Sequence, residues 1–209
     1  MLIIGAKGFA KELLEVLHQS NLHNGLAFFD NISNDLSDAL YEQFSVIKSF
    51  EDARKFFDKN GPSFSLGLGN PKARKMMAEK MKECGGELTT VISPFARIGH
   101  FNNQIGKGAT IMTGNVLTND ISIGEGVLIN LNCTVGHDAV IGNYVELCPG
   151  VHVSGKVEIG EFSFIGTGAV ILPGLKIGKR CNVGAGAVVN KDVPDDVTVI
   201  GIPAKPINK

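Results

Sequence analysis

Residues 123–142 read IGEGVLINLNCTVGHDAVIG, and within them Ile123, Ile129, Val135 and Ile141 recur at every sixth position. The step continues in both directions. It starts at Ile105, passes Ile111 and Leu117, and beyond Ile141 runs through Leu147, Val153, Ile159, Ile165, Ile171, Ile177 and Val183 to Val189, so that all fifteen positions are aliphatic. Such a run is a hexapeptide repeat. A second period is three times longer, because Gly106, Gly124, Gly142, Gly160 and Gly178 recur once in every three hexads. Three hexads therefore make one triangular coil that puts glycine at the same corner each time. The repeat predicts a β-solenoid of about five complete coils, which at a strand spacing of about 4.8 Å gives a prism about 24 Å long. Ile92 and Ile98 extend the series backwards. The step from Ile98 to Ile105 is one position longer than a hexad, which predicts a one-residue bulge within Phe101 to Gln104. An aromatic content of 7% suits a narrow core filled by one aliphatic side chain per face.

The chain before the repeat has a different composition. Residues 1 to 91 carry 23 of the 41 charged residues but only eight of the 26 glycines, and the change falls near Ser93 and Pro94. Two domains are expected, 1–91 and 92–209. In the first, Leu2-Ile3-Ile4 reads as a short buried strand ending at Gly5. Ala10, Leu13, Leu14 and Leu17 then fall on one helix face at i, i+3, i+4 and i+7. Leu26 to Phe29 and Phe64 to Leu68 read as further strands, and Ser49 with Asp52 opens a helix through Phe57. Asn70 and Pro71 supply an N-cap and a first-turn proline for a helix whose apolar face is Ala73, Met76, Met77 and Met81, stopped by Gly85 and Gly86. Strands alternating with helices predict a small parallel, Rossmann-like α/β domain.

Charge and hydropathy exclude several classes of function. With 20 Lys and Arg against 21 Asp and Glu, the chain lacks the basic footprint that holds a phosphate polymer, so nucleic acid is not an expected partner. Its apolar runs are too short for a membrane span, and its first residues lack the basic and long apolar regions of a signal peptide. Cys84, Cys133, Cys148 and Cys181 are widely scattered and form no C-x-x-C pair, so their spacing offers neither a metal-binding nor a redox motif. Reduced structural thiols in a cytoplasmic protein are expected.

The hexads, the closing Val199 to Lys205 (VIGIPAK) and the opening Ile3 to Ala10 (IIGAKGFA) together resemble bacterial sugar acyltransferases of the sialic-acid O-acetyltransferase and nucleotide-aminosugar N-acetyltransferase type. The resemblance covers essentially the whole chain. It implies a left-handed parallel β-helix, a hand contrary to the usual crossover rule. It also implies a homotrimer that uses acetyl-CoA at the cleft between neighbouring prisms, with the leader domain holding a nucleotide-linked aminosugar.

The resemblance assigns site residues. His137 matches the family's general base, and a histidine titrates near neutrality without help, as removal of a proton from an attacking amine or hydroxyl requires. Asp138 would orient the ring or raise its basicity. Gly155 lies three hexads after His137 and so one coil above it, roughly 5 Å away, where its N–H can meet a thioester oxyanion. The family gives that glycine the same role. Gly166-Thr167-Gly168 and Gly184-Ala185-Gly186 are also three hexads apart, so two small tripeptides should stack beyond Gly155 along the prism and let a pantetheine arm lie against backbone. Thr167, Gly168 and Ala185 match acetyl-CoA contacts, and Glu146 stands where a close family member has a histidine contacting the coenzyme. His152, within Pro149 to Ser154, is a substitute for that histidine or a surface residue.

In the leader, Gly5 to Gly8 lies between a strand and a helix, where free N–H groups and the helix dipole attract phosphate. The turn lacks G-x-G-x-x-G, so no dinucleotide site is indicated. By resemblance Lys7, Gly8 and Phe9 touch the sugar nucleotide, Asp30 and Asn31 match the base-reading pair, and Gly69 completes the pocket. The expected reaction is acetyl transfer to the 4-amino group of a UDP- or dTDP-linked 4-amino-4,6-dideoxy sugar for surface glycan synthesis. The alternative is O-acetylation of sialic acid or a related sugar. A zinc enzyme is disfavoured, since His100, His137 and His152 offer no ligand spacing. The repeat alone would also suffice for a scaffold.

Overall fold

In the computed structural model, which describes residues 1–207, the chain divides into two units, Met1–Val91 and Ile92–Lys209. The first is built on six strands, β1 (Leu2–Ile4), β2 (Ala27–Phe29), β3 (Ala39–Leu40), β4 (Phe44–Ile47), β5 (Ser63–Leu66) and β6 (Glu87–Leu88), with helices α1 (Gly8–Gln19), α2 (Phe50–Asn60) and α3 (Pro71–Glu83). The sheet order is β3-β4-β2-β1-β5-β6, parallel except for the edge strand β3. Chain order leaves β1 for β2 on one side and later returns to β5 on the other. That reversal opens a crevice beyond the carboxyl ends of the strands, where α/β sheets bind ligands. Leu2, Ile3 and Ile4 are all buried, as are Ala10, Leu13, Leu14 and Leu17 of α1. Fully burying each large aliphatic side chain contributes about 1.5–3 kcal/mol.

Helix caps follow the sequence. Ser49 Oγ accepts the Asp52 N–H at 3.1 Å, and Asn70 Oδ1 accepts the Ala73 N–H at 3.1 Å. The inward face of α3 differs from expectation. Arg74, Met77, Ala78 and Met81 are buried while Met76 is 45% exposed, so the face is rotated away from Ala73 and Met76. A buried arginine is the cause, since the Arg74 guanidinium donates to the Gly69 carbonyl and is thereby drawn inward. The parallel sheet expected from sequence also gains the β3–β4 hairpin.

The second unit is a left-handed parallel β-helix. Its strands, all of two residues except Thr198–Ile200, stack in three sheets of eight, six and five strands, parallel except for the last, Lys205–Pro206. One face carries Thr110–Ile111, Leu128–Ile129, Glu146–Leu147, Phe164–Ile165 and Asn182–Val183. A second face carries Val116–Leu117, Thr134–Val135, His152–Val153, Val170–Ile171 and Val188–Val189. The third carries Gln104–Ile105, Ser122–Ile123, Val140–Ile141, Glu158–Ile159 and Lys176–Ile177. Partners on adjacent coils are three hexads apart, as Thr134 with His152 and Val135 with Val153. The aliphatic position of each hexad points inward, and all from Ile111 to Val189 are buried. The glycine that recurs once per coil has a steric cause, because a methyl group at Gly106 would lie 2.5 Å from the carbonyl carbon of Gly124. The bulge is where the lengthened step placed it. Gln104 pairs with Ser122, a full three hexads on, whereas Arg97 pairs with Val116, one position further than three hexads.

Burial pushes the Cys133 thiol up to about 11, which leaves it a structural group. Among the described residues no helix is long and apolar enough to cross a membrane, and no group of three His, Cys, Asp or Glu side chains is placed to hold a metal ion.

Candidate active site

Each full coil turns three times, and from Gly108 to Gly186 the third residue of each turn has positive φ. After the strand Thr134–Val135 this puts His137 at an exposed corner and Asp138 at φ +59, a conformation that bends its side chain back onto the preceding ring. His137 Nδ1–H donates to Asp138 Oδ2 at 2.7 Å. A carboxylate only accepts, so the proton sits on Nδ1 and Nε2 presents its lone pair.

Stacking brings Gly155 onto that nitrogen. A methyl group at Gly155 would lie 2.6 Å from His137 Nε2 and 2.8 Å from Cε1, closer than any side chain can approach. The Lys156 N–H donates to the His137 carbonyl at 2.8 Å and fixes the two coils in register, while the Gly155 N–H makes no backbone hydrogen bond among the described residues. An imidazole nitrogen with an open lone pair thus lies close to a glycine whose N–H has no backbone partner among the described residues. That is the arrangement acyl transfer requires, with a proton acceptor beside a donor for a developing oxyanion.

Thr167, Gly168, Ala185 and Gly186 are exposed together at another corner. The two tripeptides stack as the three-hexad step predicts, with the Gly186 N–H donating to the Thr167 carbonyl at 2.8 Å. His137 and Gly155 end the second face, whereas Gly150, Gly168 and Gly186 begin it, so the two sets occupy its opposite edges. Gly155 and Gly168 are not separated by a whole number of coils, which is why they fall on different corners. Gly168 and Gly186 have φ +68 and +67, a backbone conformation that favours glycine, although equivalent positions hold Asp138, Tyr144, Lys156, Phe162 and Arg180. A methyl group at either would meet nothing within 4 Å. Glu146 does not share this corner. It is buried on the first face, where its carboxylate accepts the Cys148 thiol at 3.9 Å. His152 is exposed on the second face, with Nδ1 2.9 Å from Thr134 Oγ1.

The first unit holds a cavity of about 410 Å³ at the carboxyl ends of β1, β2 and β5. Lys7, Gly8, Phe9, Asp30, Asn31 and Gly69 all line it. Its floor is apolar, with Ile4, Phe29, Leu68 and Met77. One end is the N-terminus of α1, whose cap residue Lys7 makes no side-chain capping bond and whose first turn has no acid. Free N–H groups there favour an anion. Asp30 also closes the turn that follows it. Its Oδ1 accepts the Ile32 and Ser33 N–H groups at 3.0 and 2.9 Å, and its Oδ2 accepts Ser33 Oγ at 3.1 Å. Asn31, beside it, is exposed. Sequence reasoning missed Ile32 and Ser33 as lining residues, although Asp30 followed at the third position by Ser33 is a side-chain-closed turn signal.

Comparison with known proteins agrees with both units. Residues 1–81 match the PglD N-terminal domain, and residues 156–191 match the bacterial transferase hexapeptide (six repeats). No curated protein sequence matches significantly. Among solved structures, a mutant of perosamine N-acetyltransferase from Caulobacter crescentus, in complex with CoA and GDP-perosamine, is 30% identical. The match covers 100% of this chain and 96% of that one, with a TM-score of 0.92. The acetyltransferase domain of PglB from Neisseria gonorrhoeae, in complex with acetyl coenzyme A, is 31% identical over 99% and 98% of the two chains, with a TM-score of 0.88. WeeI from Acinetobacter baumannii is 33% identical over 99% and 98%, also with a TM-score of 0.88.

Proposed function

Because the chain belongs to the bacterial hexapeptide-repeat sugar acyltransferases and is an acetyl-CoA-dependent sugar N-acetyltransferase, we propose that it acetylates the 4-amino group of a UDP- or dTDP-linked 4-amino-4,6-dideoxy sugar, in the cytoplasm, for surface glycan synthesis. The neutral amine attacks the thioester carbonyl. His137 Nε2 takes the amine proton, Asp138 stabilises the imidazolium, the Gly155 N–H meets the oxyanion, and the CoA thiolate leaves with a proton returned from His137. The observation that carries this reading is the contact of Nε2 with a coil kept bare at Gly155.

Thr167, Gly168 and Ala185 line the pantetheine groove, where Gly168 and Gly186 leave the backbone open. Base and groove lie on opposite edges of one prism face, which supports a homotrimer in which the coenzyme held along one chain meets the base of the next. Closed cyclic packing of such unlike edges is a heterologous interface. In the leader, the α1 N-terminus and Lys7 take the diphosphate, Gly8, Phe9 and Gly69 wall the nucleotide, and Asn31, next to the turn that Asp30 closes, faces the base. Free sialic acid carries neither base nor diphosphate, so this cavity favours the nucleotide-linked amine over the O-acetylation alternative.

The test is thiol release by the species that sediments near three chain masses, incubated with acetyl-CoA and a panel of UDP-, dTDP- and GDP-linked aminosugars. Turnover is expected with a UDP- or dTDP-linked 4-amino sugar. A monomer that turns over equally fast removes the shared site, and release with none of the panel removes the acceptor assignment.

A further inference from the structure

Lys7, which lines the cavity of the first unit, is paired with a carboxylate to which the transfer reaction gives no role. Lys7 Nζ lies 2.6 Å from Asp35 Oδ1, joining the turn between β1 and α1 to the segment after β2. Lys7 is the cationic side chain among the cavity-lining residues, and its backbone caps α1 where the helix presents free N–H groups. Asp35 lies on the same segment as Asn31, Ile32 and Ser33, which form one wall. The pair therefore ties that wall to the phosphate-attracting turn and cancels the charge that would draw an anion there.

We propose that Asp35 is an internal competitor for Lys7, which an incoming nucleoside diphosphate must displace before it binds. This rests on the reading of the cavity as a nucleotide site. A diphosphate carries more charge than one carboxylate and also meets the α1 N-terminus, so it wins the ammonium, and the wall segment is released from the turn. A nucleoside without phosphate has no claim on Lys7 and leaves the pair intact. Until a diphosphate arrives, the hydrogen bond from Lys7 holds the Asp35 carboxyl below the usual carboxylate range, as an occupied ammonium requires. Both side chains are exposed, Lys7 by 52% and Asp35 by 74%, so the pair is a weak latch and not a structural brace.

Calorimetry with UDP, dTDP, GDP and uridine on the wild-type protein, Asp35→Asn, Lys7→Ala and the double variant tests the latch. For whichever diphosphate the wild type binds best, Asp35→Asn should raise affinity about two- to fivefold, the range of an exposed ion pair, and less at high salt. Uridine affinity should not change, and in the Lys7→Ala background the gain should vanish. Unchanged or weaker diphosphate binding by Asp35→Asn overturns the proposal, as does a gain that persists without Lys7, which would be simple charge repulsion. If wild type binds no diphosphate at all, the nucleotide reading of the cavity fails and the latch fails with it.

Discussion

Replacing His137 with alanine is expected to lower turnover by about 10²-fold or more, the usual contribution of a positioned general base, with little change in folding. The side chain is 63% exposed, and its one polar partner, Asp138, is itself half exposed, so removal leaves no buried group without a partner. Nδ1 is committed to Asp138, which makes Nε2 the sole basic position of the ring. Steady-state thiol release and a melting curve on His137→Ala check both halves. A variant that keeps more than about half the wild-type rate takes His137 out of the mechanism and directs attention to His152, whose Nδ1 is held by Thr134.

Substitution at Gly155 is expected to be nearly as damaging, for a different reason. Gly155 does not have positive φ, so alanine meets no backbone strain there; its methyl group meets the imidazole instead, 2.6 Å from Nε2. That neighbour is the far end of a flexible side chain, so the ring swings away and the fold survives, but the base leaves the place where the amine proton must go. Misplacement of about 1 Å can lower the rate roughly 100-fold. Gly155→Val adds bulk that also blocks the acetyl group and the pantetheine arm. Its acetyl-CoA affinity should fall while the affinity for the nucleotide, held by Lys7, Gly8, Asn31 and Gly69 in the other unit, should barely change. Calorimetry with each ligand separates the two sites. Equal losses for both, or normal turnover, would show that Gly155 does not serve the thioester.

The parts of this molecule that were legible from sequence are those in which a local period and the packing coincide. The hexad step from Ile111 to Val189 gives one series of buried side chains; a second series two residues earlier, with Ile121, Val127, Cys133, Val145, Val151 and Val157, is equally buried, which corrects the expectation of one aliphatic side chain per face. The three-hexad step put Gly155 over His137, where a methyl group would touch the ring. The same step stacks Thr167 under Ala185, but a coil period says which residues share an edge and not which edge lies beside another, so their place across the second face from Gly155 was not legible. In the leader, the β3–β4 hairpin had no glycine or asparagine to announce it. Tyr41 and Glu42 take positive φ at its tip, a conformation those residues rarely adopt. The face of α3 was misread because Arg74 is buried by a contact with Gly69, and a tertiary hydrogen bond leaves no trace in hydrophobic spacing. Lys7 and Asp35, far apart in the chain, meet for the same kind of reason, through folding and not through pattern.

Acetyl delivered to a sugar amine is held as an amide, and acetyl delivered to a hydroxyl as an ester. The most direct measurement is mass spectrometry of the product formed from acetyl-CoA and a UDP- or dTDP-linked 4-amino-4,6-dideoxy sugar, before and after treatment with hydroxylamine, which cleaves acetyl esters and spares amides. A product one acetyl group heavier that survives hydroxylamine unchanged is the predicted result; a product that loses its acetyl group, or no acetylated sugar nucleotide at all, would contradict it.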